Sequence, residues 1–165
     1  MLSNMIRAFA VAAVMVTMPA LAGPLTLTAA DPVATVTIPE EWSGKTIARG
    51  LEIKTPDEEV YLWFELIAPG EMASVQKEHD RYFEKEGVTV TGASETKKSE
   101  VNGRAWSFTE LAATNKDGPS IIRYVAINPN VASGKIILMT YWASPDGDKT
   151  HDAAMSKLID GISFK

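Results

Sequence analysis

Residues 60 to 68 read Val-Tyr-Leu-Trp-Phe-Glu-Leu-Ile-Ala, nearly continuous in apolar side chains where a strand with one wet face would alternate. A strand of that texture needs cover on both sides. Residues 136 to 142 are of the same kind, so the chain has to place a sheet between two other layers instead of leaving one face open. The rest of the sequence must supply those layers.

Val33 to Ile38 alternates apolar residues with Thr and stops at Pro39, ahead of Glu40-Glu41-Trp42-Ser43-Gly44, which predicts a first strand and a turn. Thr46 to Thr55 predicts a weaker strand bent at Gly50, closed by a turn at Pro56-Asp57. After Pro69-Gly70 the period changes. Met72, Val75, His79, Tyr82 and Phe83 recur at helical spacing opposite a charged face, and Gly87 ends the pattern, predicting a helix of about four turns. Val88 to Val90 and Glu95 to Val101 suit short, polar edge strands joined at Gly92, where Lys97 and Lys98 would discourage edge-to-edge pairing. Arg104 to Ala112, Ser120 to Ile127 and Lys135 to Ala143 are separated by Asn115-Lys116-Asp117-Gly118 and Asn128-Pro129-Asn130, which predicts an antiparallel meander. Asp146-Gly147-Asp148 then precedes a closing helix with His151, Ala154, Met155, Leu158, Ile159 and Ile162 on one face. The fold class expected is α+β, an antiparallel sheet with flanking helices, in a single domain over residues 33–165.

A chain of 165 residues, 45% hydrophobic and 22% charged, suits one core. Its 16 Lys and Arg against 21 Asp and Glu give a net charge of -5, which disfavours nucleic acid and anionic lipid as partners. With no cysteine, disulfides, thiolate metal sites and cysteine nucleophiles are excluded. At the N-terminus, Arg7 precedes an apolar run from Ala8 to Met18, Pro19 breaks it, and Ala20-Leu21-Ala22 follows. That three-part pattern predicts a signal peptide over residues 1–22, a short lead over residues 23–32, and no stable membrane anchor after cleavage. Export without cysteine points to a bacterial periplasmic or secreted protein.

The order of these elements resembles the exported bacterial members of the PsbP-like α/β/α sandwich family. The resemblance rests on a strand ending in Ile38-Pro39-x-x-Trp42, a hairpin with Val60-Tyr61-Leu62-Trp63-Phe64, the amphipathic helix, and a meander opening at Gly103-Arg104-Ala105-Trp106. A closing helix ending Ile159-Asp160-Gly161-Ile162-Ser163-Phe164 completes it. Such a resemblance implies an α/β/α sandwich and a binding or assembly role, with no shared catalytic residues to carry over.

The residues themselves offer little chemistry. The two histidines, in His79-Asp80 and His151-Asp152, lack the i, i+4 spacing of two metal ligands on one helix face and fall on apolar sides, so packing is expected of both. Ser74-Val75-Gln76-Lys77 matches Ser-x-x-Lys without the companion motifs of that site. No phosphate-binding glycine loop is present, and no cofactor is expected. Trp42, Trp63, Trp106 and Trp142 lie in or beside strands, as core fillers or the lining of a ligand cavity. Glu65 and Glu110 interrupt apolar strands. If Thr114 and Pro119 face each other across the loop, positions summing to 233 pair, which sets Glu110 opposite Arg123, Phe108 opposite Val125 and Trp106 opposite Ile127. Arg123, Glu110 and Trp42 are the binding candidates. The function expected is a non-enzymatic binding or assembly domain of the bacterial envelope, with a partner protein or a small ligand. A carrier of a small apolar ligand is the alternative; a secreted hydrolase would need His79 or His151 to approach Glu65 or Glu110 in a cleft.

Overall fold

The computed structural model describes residues 23–28 and 30–165. The signal peptide expected over residues 1–22 lies outside them. The described residues open with β1 (Gly23–Thr26), which pairs antiparallel with β2 (Ala34–Ile38). The lead at residues 23–32 thus contributes a strand, because Gly23 to Thr26 finds the free edge of β2. Residues β3 (Ser43–Ile47) and β4 (Gly50–Lys54) form a hairpin that continues into β5 (Val60–Ile67). The bent strand expected over 46–55 is therefore two strands, with Ala48 and Arg49 turning between the paired Ile47 and Gly50. Gly50 permits this because a Cβ there would lie 1.9 Å from the Phe64 carbonyl oxygen on β5.

Helix α1 (Met72–Lys85) follows, and the chain leaves it through Gly87 at φ +75°, the left-handed conformation expected of glycine past a helix end. Strands β6 (Thr89–Ala93) and β7 (Lys97–Val101) pair in turn with the long β8 (Arg104–Asn115). They make one interrupted edge, with a bulge between Val90 and Gly92. The meander is completed by β9 (Gly118–Ile127) and β10 (Ile136–Ala143). Helix α2 (Pro145–Asp160) leads to the short β11 (Ser163–Phe164), which returns to β2. Asp146 to Asp148 belongs to α2 and does not precede it. Ser144 caps the helix by accepting from the Gly147 N–H at 2.9 Å, and Pro145 occupies the first turn, where its missing N–H costs nothing.

The large sheet has the order β3-β4-β5-β10-β9-β8-β6, with β7 also on β8. Central β5 is buried on both faces, as its continuous apolar texture requires. One face carries α1 through Val75 and Phe83, which pack with Trp63, Ile122, Tyr124 and Leu138. The other carries α2 and the small sheet β1-β2-β11, whose Val36, Ile38, Met155 and Leu158 pack with Leu62, Phe64, Val125 and Met139. The result is an α+β sandwich of helix, antiparallel sheet and helix, with a three-stranded sheet beside the second helix.

Candidate functional site

Strands β8 and β9 pair in the register deduced from the loop: Thr114 opposite Pro119, Glu110 opposite Arg123, Phe108 opposite Val125 and Trp106 opposite Ile127. Asn115 and Gly118 form the last pair, Asn115 Oδ1 accepts from the Asp117 N–H at 2.9 Å, and Gly118 takes φ +129°. Pleat alternation puts Trp106, Phe108, Val125 and Arg123 on the α2 side of the sheet. Arg123 Nε donates to Glu110 Oε2 at 2.8 Å. Its Nη1 and Nη2 both meet the Asp148 carboxylate at the start of α2, the latter at 2.8 Å. Tyr141 Oη donates to the same carboxylate at 2.7 Å, and the guanidinium carbon lies 5.1 Å from the Tyr141 ring centroid.

The charges in this cluster reinforce one another. Burial alone would lower the Arg123 pKa, but Asp148 and Glu110 hold it above its ordinary value. Burial pushes Asp148 up, yet Arg123 and the Tyr141 hydroxyl outweigh it and keep the carboxyl below its usual range. The Tyr141 phenol is pushed up by burial and then by Asp148. Arg123 is thus engaged at all three nitrogens, and its fork joins the sheet to α2. Sequence reasoning found Glu110 and missed Asp148 and Tyr141. The available signal was the lone cation on an otherwise apolar stripe, which demands an anion from whatever layer covers it.

Next to this cluster runs a groove of about 620 Å³. Its floor is Trp106, Phe108, Val125, Met139 and Tyr141, its helical wall includes Met155 and Ile159, and its opposite rim is Lys97, Lys98 and Ser99 of β7. The groove exists because α2 packs over β2, β5 and β9, leaving Trp106 and Phe108 of β8 half-buried at the side of the sheet. Arg123, Asp148 and Asp152 also line it. Trp42 lies elsewhere. It is 3% exposed in the core, edge-on to the His151 ring at 5.6 Å. His151 Nε2 is 2.8 Å from Asp57 Oδ2. Asp57 also accepts from the Thr55 hydroxyl, and these bonds, Thr55 first, pull its pKa to about 2.

His79 does approach Glu65: its Nε2 is 2.8 Å from Glu65 Oε2, in an ion-pair contact short of good hydrogen-bond alignment. Its Nδ1 is 3.1 Å from Thr140 Oγ1, and Glu65 Oε1 accepts from Arg49 Nε at 2.8 Å. The group lies between α1 and the sheet. Glu65 and His79 are 3% and 8% exposed, Thr140 is fully buried, and the imidazole lies between the rings of Trp63 at 5.6 Å and Tyr124 at 6.3 Å. Burial pushes Glu65 up, but His79 and Arg49 pull it below its ordinary value. The network ties α1 to β5 and β10. Among the described residues no three His, Cys, Asp or Glu side chains are grouped to hold a metal.

No family model matches the chain, and no curated protein matches it. Among solved structures it is similar to cyanobacterial PsbP from Synechocystis, with a TM-score of 0.56 over 88% of this chain and 94% of that one at 9% identity. A Pseudomonas aeruginosa protein of unknown function aligns over 79% of this chain and 91% of that one, at 13% identity and a TM-score of 0.43. The likeness to the Synechocystis protein shows a PsbP-like fold.

Proposed function

We propose that this PsbP-like fold serves as a non-enzymatic binding domain of the bacterial cell envelope, which receives an apolar segment of a partner protein in the groove between α2 and β8. The observation that carries this reading is the half-buried apolar floor, Trp106 and Phe108, packed against the α2-side core and open to the groove. Exposed aromatic surface of this kind, rimmed by lysines on one side and by Asp148 and Asp152 on the other, is the composition of a recognition patch. The Arg123 fork gives the groove a rigid end, and pre-organisation of that sort favours binding by lowering the cost of ordering.

The test uses the mature domain and its Ile159→Glu variant, which places a charge on the groove wall at a half-buried site. Envelope protein captured by the parent and cross-linked to groove residues should be lost in the variant while far-ultraviolet circular dichroism is unchanged. Equal capture by both would refute the groove as the binding surface. A solvatochromic dye held in the groove and displaced by extracted envelope lipid, with no protein captured, would favour the carrier of a small apolar ligand instead. Export has its own check. Intact mass of the exported protein should correspond to a chain starting at Gly23, and a mature species starting well before it would overturn the signal-peptide assignment.

A further inference from the structure

On the α1 side of the sheet, the pairing of β10 with β5 sets Trp142 directly opposite Tyr61. Their rings lie 5.6 Å apart at 31° and form a continuous aromatic floor. Tyr82 of α1 stands over its edge, 6.5 Å from Trp142 and at 81° to it, so that floor and wall make an aromatic corner. The corner is held in place. Trp142 Nε1 donates to Ser120 Oγ at 3.2 Å, and buried Phe83 backs the indole at 5.6 Å. Tyr82 is nonetheless 38% exposed, so its ring is open to a ligand entering the corner.

These three rings line a pocket of about 710 Å³ whose remaining wall is acidic: Glu58, Glu59, Glu86, Asp117 and Asp146 against the single base Lys116. Glu58 is paired with Lys54. Glu59, Glu86, Asp117 and Asp146 form no ion pair among the described residues. The Tyr61 and Tyr82 phenols are both pushed up, by burial first and then chiefly by Glu58 for Tyr61 and Glu86 for Tyr82, which agrees with a negative field over the rings. The negative faces of indole and phenol attract a cation, and the uncompensated carboxylates add to that attraction. A metal ion or a primary ammonium would surrender strong hydration to rings that return no hydrogen bond. A methylated ammonium is weakly hydrated and presents apolar methyl groups to the same rings.

We propose that this pocket binds a small quaternary ammonium ion, with its methyl groups on Trp142, Tyr61 and Tyr82 and its charge balanced by Glu59, Glu86, Asp117 and Asp146. The site is separate from the α2 groove and does not depend on it. The test follows the assigned Trp142 indole N–H resonance during titration with choline chloride at constant ionic strength. A saturable shift with a dissociation constant on the order of 1 mM is expected. The neutral isostere 3,3-dimethyl-1-butanol should produce none, and phosphocholine, whose phosphate would meet the acidic wall, should bind more weakly than choline. Tyr82→Leu, which keeps the apolar bulk and removes the ring, should weaken choline roughly three- to fivefold with the fold intact. Glu86→Gln should weaken it at low salt. Equal binding of the isostere, undiminished binding by Tyr82→Leu, or no saturable shift up to about 50 mM choline would overturn the proposal. Phosphocholine binding as tightly as choline would overturn the free cation as the occupant and the acidic wall as its selector.

Discussion

At the scale of single residues, Arg123 decides how the meander meets α2. Its two carboxylate partners differ in what they contribute. Glu110 is a cross-strand neighbour with a side chain 42% exposed, and an ion pair in that setting is worth roughly 0.2 to 1 kcal/mol. Asp148 receives both terminal nitrogens and the Tyr141 hydroxyl in a less exposed position, so its loss leaves three donors without their acceptor. Double-mutant cycles read from urea unfolding should separate them. Asp148→Asn should cost roughly 1 to 3 kcal/mol, with most of that cost absent when Arg123 is already Met. Glu110→Gln should cost less than half as much. A larger coupling of Arg123 to Glu110 than to Asp148 would contradict the geometry. The Glu110 contact was legible in the sequence because setting Thr114 opposite Pro119 across the loop fixes the register locally. Asp148 comes from a different layer, and no local rule points to it.

At the scale of elements, the docking of α2 depends on a residue that looks like a helix breaker. A Cβ on Gly147 would lie 2.6 Å from Glu59 Cβ and 2.8 Å from the Glu59 carbonyl oxygen. The same carbonyl accepts from the Ser144 N–H at 3.1 Å, so the first turn of α2 sits directly on the residue before β5. Gly147→Ala gains about 1 kcal/mol in helix propensity, but the backbone contact must open to admit the methyl. A net loss of roughly 1 to 3 kcal/mol is expected in thermal or urea unfolding. Gly92→Ala is the control, since nothing lies within 4 Å of its added Cβ, and it should change stability by less than roughly 0.5 kcal/mol. Stabilisation by Gly147→Ala would mean that α2 does not sit this close to β5. The glycine in Asp146-Gly147-Asp148 suggested a turn ahead of the helix. Its role is steric, and steric needs between distant segments leave no mark on periodicity.

For the whole molecule, three carboxyls tie layers or loops together in their charged form: Glu65 between α1 and the sheet, Asp148 between α2 and the sheet, and Asp57 at the loop that meets His151. Each has a folded-state pKa below its ordinary value. Such a group contributes stability that is fully present above the ordinary value and lost as pH falls through the folded one. For Asp57 the loss runs from the ordinary value of 3.8 down to about 2. Glu65 enters the window first, from 4.5 downward. The urea midpoint should therefore hold near neutral pH and decline below about pH 4.5. Glu65→Gln should cost roughly 1 to 3 kcal/mol at neutral pH, because it removes the carboxylate beside buried His79, while Arg49, 36% exposed, keeps its second partner Glu78. It should also flatten the acid decline. An unchanged acid slope in that variant would show that the Arg49, Glu65 and His79 network does not carry the pH dependence.

The sequence by itself determined the layered plan. Continuous apolar strands require two covers, alternating ones require one, and helical spacing from Met72 to Phe83 and from His151 to Ile162 supplies the covers, since periodicity reports which sides of an element are wet. Once Thr114 is set opposite Pro119 it also gives the register of β8 on β9, because one paired position fixes all the others. The tertiary structure alone decided that β1 and β11 join β2 in a second sheet, and that His79 meets Glu65 under α1. It alone decided that Arg123 spends its fork on Asp148 beside a groove, and that Tyr61, Tyr82 and Trp142 form a corner. Each of these depends on distances between segments far apart in the chain, and such distances are set by how the layers pack, which no window of residues contains.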